Sequence, residues 1–177
     1  MAKIEVPFDR HIPLLLQSLS GEGALLVSRD KEGRPNAMTI GWAQIGIIWG
    51  RRIMSVMVRP SRYTYQCLEV SRDFTVCVPY PDQTDEVMFC GTQSGRDHDK
   101  FAECGFTAMP SEGLNSPYID ECGVCYQCQV VNHADFVPER LMPEICHQCY
   151  GSGDYHRIYF GQILRLVADE DVEARRR

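Results

Sequence analysis

Three short segments of the chain combine arginines, hydroxyl residues and glycines in ways that suit an anionic ligand. The first runs from Arg59 to Thr64, where a proline ends a predicted strand and Ser61 opens a predicted helix. A helix N-terminus offers free backbone N–H groups and a partial positive charge, and nearby arginines and hydroxyls would complete a phosphate cradle. Taken alone, the segment is better explained as an N-cap at Ser61 before a solvated helix face.

The second segment runs from Gly91 to Phe101 and places two glycines around hydroxyl residues, with Arg96 and Lys100 following. Glycines let a backbone approach a ligand closely and form anion-binding concavities. The segment has neither the order of a P-loop nor that of a serine-hydrolase elbow. Helix capping by Ser94 or Asp97 is the alternative.

The third segment, from Pro35 to Trp42, has the character of a strand. Alternate residues of a strand share a face, so Asn36 and Met38 point one way and Ala37 and Thr39 the other. The small-residue face would allow a flat ring to lie against the strand. Ordinary strand packing, with polar residues outward, is the alternative.

The nine cysteines form two notable groups. Cys122, Cys125 and Cys128 lie in a C-x2-C-x2-C run, and Cys146 and Cys149 flank His147 in a second C-x2-C. Such spacing suits zinc or an iron–sulfur cluster. The first group falls on a predicted strand, which would place Cys122 and Cys128 on one side and Cys125 on the other. For the second pair, an incidental role, zinc and a redox dithiol all remain open.

The remaining pattern indicates short strands at residues 24–28, 35–48, 52–58, 74–78, 122–131 and 157–167. Short helices are predicted at 61–71, 82–90 and 97–104, and a long connection at 132–156. Because helices do not alternate with strands, we expect a mainly β antiparallel barrel with short helices, in one domain over 1–177. The net charge of −6 argues against nucleic-acid or membrane partners. The N-terminus lacks a signal-peptide pattern, so we expect a cytoplasmic protein whose thiols are free, metal-bound or redox-active.

In order and spacing, the three segments resemble the flavin reductase-like family, the flavoredoxin-type FMN-binding split barrels. The motifs are PNAMT followed by Trp42, RPSRYTY from Arg59, and CGT, SGRD and DKF from Cys90 onward. The resemblance covers roughly residues 20–168. It implies a six-stranded Greek-key split barrel, with an extra loop at about 133–156, that forms a homodimer with FMN near the interface.

The resemblance also implies roles for individual residues. His156 lies in Gly153-Asp154-Tyr155-His156, which is similar to a Gly-Asp-His-Thr stretch of the family with one tyrosine inserted. His156 and Lys100 would be catalytic. The residues that would bind the cofactor are Asn36, Ala37, Met38, Thr39, Trp42, Arg59, Pro60, Ser61, Tyr63, Thr64, Ser94, Gly95, Arg96, Lys100 and Phe160.

The implied reaction is hydride transfer from NAD(P)H to FMN, followed by electron transfer to a small-molecule acceptor (a free flavin, ferric complex or quinone) or to a redox protein. The sequence lacks the Gly-x-Gly-x-x-Gly dinucleotide fingerprint, so NAD(P)H would bind transiently over the flavin. Two alternatives remain open. One is a flavin-bound electron carrier reduced by a partner protein, and the other is a zinc- or iron-binding structural protein that uses its cysteine-rich segments.

Overall fold

The computed structural model describes residues 3–175, and within them the chain forms ten strands and six α-helices. The strands are β1 (Ile4–Glu5), β2 (Ala24–Arg29), β3 (Pro35–Ile40), β4 (Ala43–Ile48), β5 (Arg51–Val58), β6 (Asp73–Val78), β7 (Ala108–Met109), β8 (Tyr118–Ile119), β9 (Val124–Asp135) and β10 (Arg157–Ala168). The helices are α1 (Ile12–Ser20), α2 (Tyr63–Ser71), α3 (Thr84–Thr92), α4 (Lys100–Glu103), α5 (Pro143–Cys149) and α6 (Val172–Arg175).

One antiparallel sheet dominates the fold, with strand order β3-β2-β6-β9-β10-β5-β4 and β1 added beside β10. Its two edge strands, β3 and β4, are consecutive in the chain and are separated by Gly41 and Trp42 alone. Because so short a link spans at most about 11 Å, the sheet must curl until its edges approach each other. The result is an open barrel whose seam lies at Trp42, which agrees with the predicted fold class, although seven strands follow one another in its sheet where six were expected.

Two apolar clusters follow from the alternation of side chains along the strands. On β2, Leu26 packs in the larger cluster with Met54, Phe74 and Tyr126. Its neighbour Leu25 points to the opposite face and joins the second cluster. The second cluster also takes in Val87 of α3 and Phe101 of α4, so these helices cover the outer face of β2 and β3.

The helix predictions were correct in position but not in their caps. Helix α2 begins at Tyr63, and its N-cap is Arg62 with no side-chain cap bond. The hydroxyl of Ser61 instead donates to Asp154, so the cap predicted at Ser61 was wrong. Helix α4 begins only at Lys100, because the carboxylate of Asp99 accepts the N–H of Ala102.

The predicted connection at 132–156 is shorter than expected because β9 continues to Asp135. His133 and Asp135 pair with Tyr159 and Arg157 of β10, and Arg157 donates to the Asp135 carboxylate at 2.7 Å. The remaining connection contains a 3-10 turn at Pro138–Arg140 and then α5, which begins with proline at its first position.

The cysteine faces were predicted only in part. Cys128 lies in the larger cluster and Cys125 in the second, as expected for neighbours three apart on a strand. Cys122 precedes β9 and packs with Cys125 rather than with Cys128, so its predicted side was wrong.

Candidate functional site

The three sequence segments meet at one cleft of about 180 Å³, formed by β3, the start of α2 and the chain between α3 and α4. The cleft is smaller than the 300–1,000 Å³ typical of a complete ligand pocket, so it suits one polar part of a larger ligand. Its lining residues are Asn36, Met38, Ser61, Arg62, Tyr63, Thr64, Cys90, Gly91, Thr92, Gln93, Ser94, Gly95, Arg96 and Lys100.

Asn36 provides a hydrogen-bond acceptor in this cleft. Its Nδ2 donates to Oγ1 of Thr64 at 3.0 Å, which fixes the orientation of the amide. Its Oδ1 is buried and accepts no hydrogen bond from any residue in the range 3–175. A Cβ at Gly95 would collide with this oxygen, so glycine there keeps the space open. An unpaired buried acceptor costs free energy, and a ligand hydroxyl or N–H would remove that cost.

Arg62 provides the unpaired cation of the cleft. Within the described chain its guanidinium has no hydrogen bond or ion pair. Arg96 is more constrained, because it donates to the carbonyl of Ser61 at 3.2 Å and lies over the ring of Tyr63. Tyr63 in turn donates to Asp30 at 3.0 Å. An anion in the cleft could therefore bind the unpaired Arg62 and also Arg96, whose side chain is already held in position.

Lys100 is 4% exposed and lies at the base of the cleft. Its ammonium donates to the carbonyls of Ala37 and Cys90 at 2.9 and 2.8 Å, which ties β3 to the end of α3. Burial lowers the pKa of Lys100 from its ordinary value. Two of its three N–H donors hold the frame of the site, and the third is free to face a ligand. Its catalytic role stays a prediction.

The loop before β10 packs onto the start of α2. Both carboxylate oxygens of Asp154, which has a positive φ, accept hydrogen bonds from Ser61, one from its N–H and one from its hydroxyl. Arg59 donates to the carbonyls of Cys149 and Asp154 at 2.8 and 3.0 Å. The guanidinium of Arg59 thus holds the loop in place and is not among the groups that line the cleft.

Beside this loop, two aromatic rings contact His156. Oη of Tyr150 lies 2.8 Å from Nδ1 of His156, and the Trp42 ring centroid lies 5.0 Å from the imidazole. Burial, followed by the charge of Arg59, lowers the pKa of His156 to about 4. The imidazole is therefore neutral at physiological pH. If Tyr150 donates to Nδ1, the hydrogen of His156 resides on Nε2 and is available to a ligand.

Other predicted residues lie elsewhere. The side chain of Ala37 is fully buried in the second cluster, and the hydroxyl of Thr39 donates to the carbonyl of Val87 in α3. Helices therefore cover the small-residue face of β3, and the expectation that a flat ring lies there was wrong. Phe160 faces Trp49 with ring centroids 6.0 Å apart, away from the cleft. Pro60 is exposed where β5 ends. Cofactor contacts by these residues stay predictions.

Residues 3–175 contain no group of three or more His, Cys, Asp or Glu side chains placed to hold a metal ion. All nine cysteines are free thiols, and six of them are buried. The half-exposed members are Cys104, Cys146 and Cys149.

Three residues of this region were not among those expected to bind the cofactor. Arg62 lies in the first segment and lines the cleft. The cofactor contact expected of Arg59 stays a prediction. Gly153 indicated that Asp154 lies in a loop, but its contact with Ser61, 93 residues away, could not be predicted. For Tyr150, only its position directly after the second C-x2-C distinguished it in the sequence.

The sequence was compared with models of known protein families. The model of the flavin reductase like domain matches residues 17–176. The chain belongs to the flavin reductase-like family. An uncharacterized protein of Archaeoglobus fulgidus is 29% identical over 119 residues, which are 67% of this chain and 67% of that protein.

Solved structures of flavin reductase-like proteins share the fold. The flavoredoxin from Methanosarcina acetivorans is 24% identical, with a TM-score of 0.69 over 97% of this chain and 77% of that one. The FMN-binding protein from Thermus thermophilus is 21% identical, with a TM-score of 0.63 over 81% of this chain and 67% of that one. The open barrel is thus the split barrel of this family. None of the helices within 3–175 is long and apolar enough to cross a membrane.

Proposed function

We propose that this flavin reductase-like chain binds FMN and acts as an NAD(P)H-dependent oxidoreductase. The observation that carries the proposal is the cleft itself, which is lined both by Asn36, whose buried Oδ1 has no partner, and by Arg62, whose guanidinium has no partner within residues 3–175. FMN offers a phosphate for the cation and ribityl hydroxyls for the acceptor. A solved relative from Thermus thermophilus is an FMN-binding protein, which supports the same ligand.

The residues present fit the parts of FMN. Arg62, Arg96 and the hydroxyl of Ser94 would bind the phosphate, since charge-assisted hydrogen bonds are the strong ones. Asn36 would accept from the ribityl chain. The 180 Å³ cleft would hold the phosphate and the ribityl chain, and the ring system would extend beyond it.

When bound, the flavin supplies the two-electron chemistry, and the protein supplies position and electrostatics. His156 would be a neutral hydrogen-bonding group, because its pKa lies at about 4, and it would donate from Nε2 when Tyr150 donates to Nδ1. Trp42 and Tyr150 hold the imidazole and reduce its access to water. Lys100 maintains the distance between β3 and α3 on which the cleft depends.

The donor and acceptor belong to the proposal. NAD(P)H would bind transiently beside the flavin, and electrons would pass to a small-molecule acceptor or a redox protein. The active unit would be a homodimer in the reducing cytoplasm. Free thiols support this compartment, and the exposed apolar side chains Ile47 and Trp49 on the edge strand and its turn support self-association.

The proposal is tested by anaerobic titration of the FMN-loaded protein with NADH and with NADPH. We expect the flavin absorbance to bleach with one nicotinamide oxidised per FMN. Flavin that stays oxidised with both nicotinamides, but is reduced by a redox protein, would replace the reductase with an electron carrier. Failure of the protein to bind FMN would refute both the reductase and the electron carrier.

A further inference from the structure

The inner face of α5 is made of two thiols. Along this helix Cys146 and Cys149 are half-buried, whereas every other residue of the helix is exposed. The apolar Ile145 is 41% exposed, and Met142 just before the helix is 64% exposed. Packing alone would favour the reverse arrangement, with apolar side chains inward. The inward position of Cys146 and Cys149 is therefore better explained by a chemical role of their thiols than by packing.

These thiols lie beside the proposed flavin site. The carbonyl of Cys149 accepts from Arg59 at 2.8 Å, and Arg59 lies over the ring of Tyr150. The thiol of Cys146 donates to the carbonyl of Pro138 at 3.6 Å. Tyr150 directly follows Cys149, stacks on Tyr155 with centroids 4.7 Å apart and bonds His156. Cys149 therefore lies one residue from the tyrosine that contacts the imidazole at the seam, and Cys146 lies one helical turn before it.

The spacing of the pair allows a disulfide. Residues three apart on a helix lie on one face, with Cβ atoms about 5–6 Å apart, and a disulfide requires them to come within about 3.5–4.5 Å. Cys149 is the last residue of α5, and Gly151 and Gly153 follow it. This end of the helix can therefore adjust by the small movement that bond formation requires.

The other cysteines lack this combination. Cys90 contacts Cys104, but burial raises the pKa of Cys90 to about 12, so its thiolate is scarce. Cys77, Cys122 and Cys125 cluster together at 0% exposure, which closes them to any partner. Reactive cysteines require access, and both members of the Cys146 and Cys149 pair are half-exposed.

We propose that Cys146 and Cys149 form a redox-active disulfide that accepts two electrons from the flavin bound at the adjacent site. The step rests on the proposed function, which supplies the reduced flavin. The S–S bond breaks, two S–H bonds form, and the flavin returns to its oxidised state. One proton comes from the reduced flavin anion and one from water. The resulting dithiol can reduce a disulfide in an acceptor by thiol–disulfide exchange.

The experiment follows the pair in a single tryptic peptide. Cleavage after Arg140 and Arg157 releases residues 141–157, which contain Cys146 and Cys149 and no other cysteine. The protein is oxidised with glutathione disulfide, freed of excess, loaded with FMN and photoreduced with EDTA in the absence of air. Free thiols are then alkylated with iodoacetamide, and the mass of the peptide is measured by mass spectrometry. Riboflavin, which lacks the phosphate, serves as a control for reduction by flavin in solution.

We expect the peptide to carry an internal disulfide before illumination and two alkyl groups after it, with FMN but not with riboflavin. Reductive titration should take two electron pairs per chain in the wild type and in Cys104→Ser, and one in Cys149→Ser. A peptide that never forms the disulfide, or one that keeps it while bound FMN is fully reduced, would overturn the proposal and leave the proposed function standing. A protein that retains no FMN would instead refute the proposed function, and with it the electron source.

Discussion

Oη of Tyr150 lies 2.8 Å from Nδ1 of His156, and this contact joins the end of α5 to the seam of the barrel. His156 is half-buried, and Arg59 and Arg62 raise the local positive potential. Both effects disfavour the imidazolium. The histidine is therefore a neutral hydrogen-bonding group whose orientation is set by a tyrosine, and not a cation for the phosphate.

The lowered pKa of His156 predicts a pH dependence of stability. The unfolded histidine titrates near its ordinary value of about 6.5, whereas the folded one titrates at about 4. Between these values the unfolded chain binds more protons, so stability should fall as the pH is lowered from 6.5 toward 4 and should not depend on this group above 6.5. In urea unfolding, the free energy of unfolding should fall less between pH 7 and pH 5 for His156→Asn than for the wild type.

His11 also has a lowered pKa because of burial, so part of the loss will remain in the variant. An equal loss in His156→Asn and the wild type would contradict a neutral His156 in the folded protein.

Arg62→Ala should weaken FMN binding without destabilising the fold. Its guanidinium has no partner within residues 3–175, so folding loses no contact. Loss of one charge-assisted contact to the phosphate costs about 1–3 kcal/mol, or roughly 5- to 150-fold in affinity. Isothermal titration of the apoprotein with FMN measures the change. Arg72→Asn removes the same charge beyond the other end of α2, and asparagine tolerates the positive φ there.

The FMN affinities of the two variants should differ clearly, and the affinity of Arg72→Asn should be close to that of the wild type. If both lose the same affinity, Arg62 acts only through the net charge of the protein.

Lys100→Met should affect stability and cofactor retention together. The carbonyls of Ala37 and Cys90 would lose their buried donor, and we expect the free energy of unfolding of the apoprotein to fall by about 1–3 kcal/mol. Flavin content after dialysis should fall as well, because β3 and α3 frame the cleft. An apoprotein of unchanged stability with reduced flavin content would assign Lys100 to the ligand instead of the frame.

Ile47→Asp should convert the proposed homodimer to monomers. Ile47 is 62% exposed on β4, an edge strand of the sheet, where a second copy would bury it. Light scattering coupled to size exclusion measures the mass, and Leu16→Glu on α1 is the matched control because Leu16 is also exposed. A wild type that is already monomeric would refute the expected homodimer.

Local patterns predicted the long strands and the helices α2, α3 and α4, because alternation and proline positions act over a few residues, whereas α1 and α5 were not predicted. The alternation on β3 predicted that Asn36 and Met38 share a face, and both line the cleft, although the flat ring was expected on the opposite face. Long-range contacts left no such signal. Arg59 could not be assigned from sequence, since its carbonyl partners Cys149 and Asp154 lie 90 and 95 residues away. The extension of β9 depends likewise on the pairing of Asp135 with Arg157 across the hairpin.

The central claim is that the cleft at Asn36 and Arg62 binds FMN, and equilibrium binding of FMN to the apoprotein tests it most directly. Quenching of flavin fluorescence, followed by release of the cofactor with acid, measures both affinity and stoichiometry. The account predicts one FMN per chain and weaker binding of riboflavin, which has no phosphate for Arg62. Equal affinity for FMN and riboflavin, or no binding of either, would contradict it.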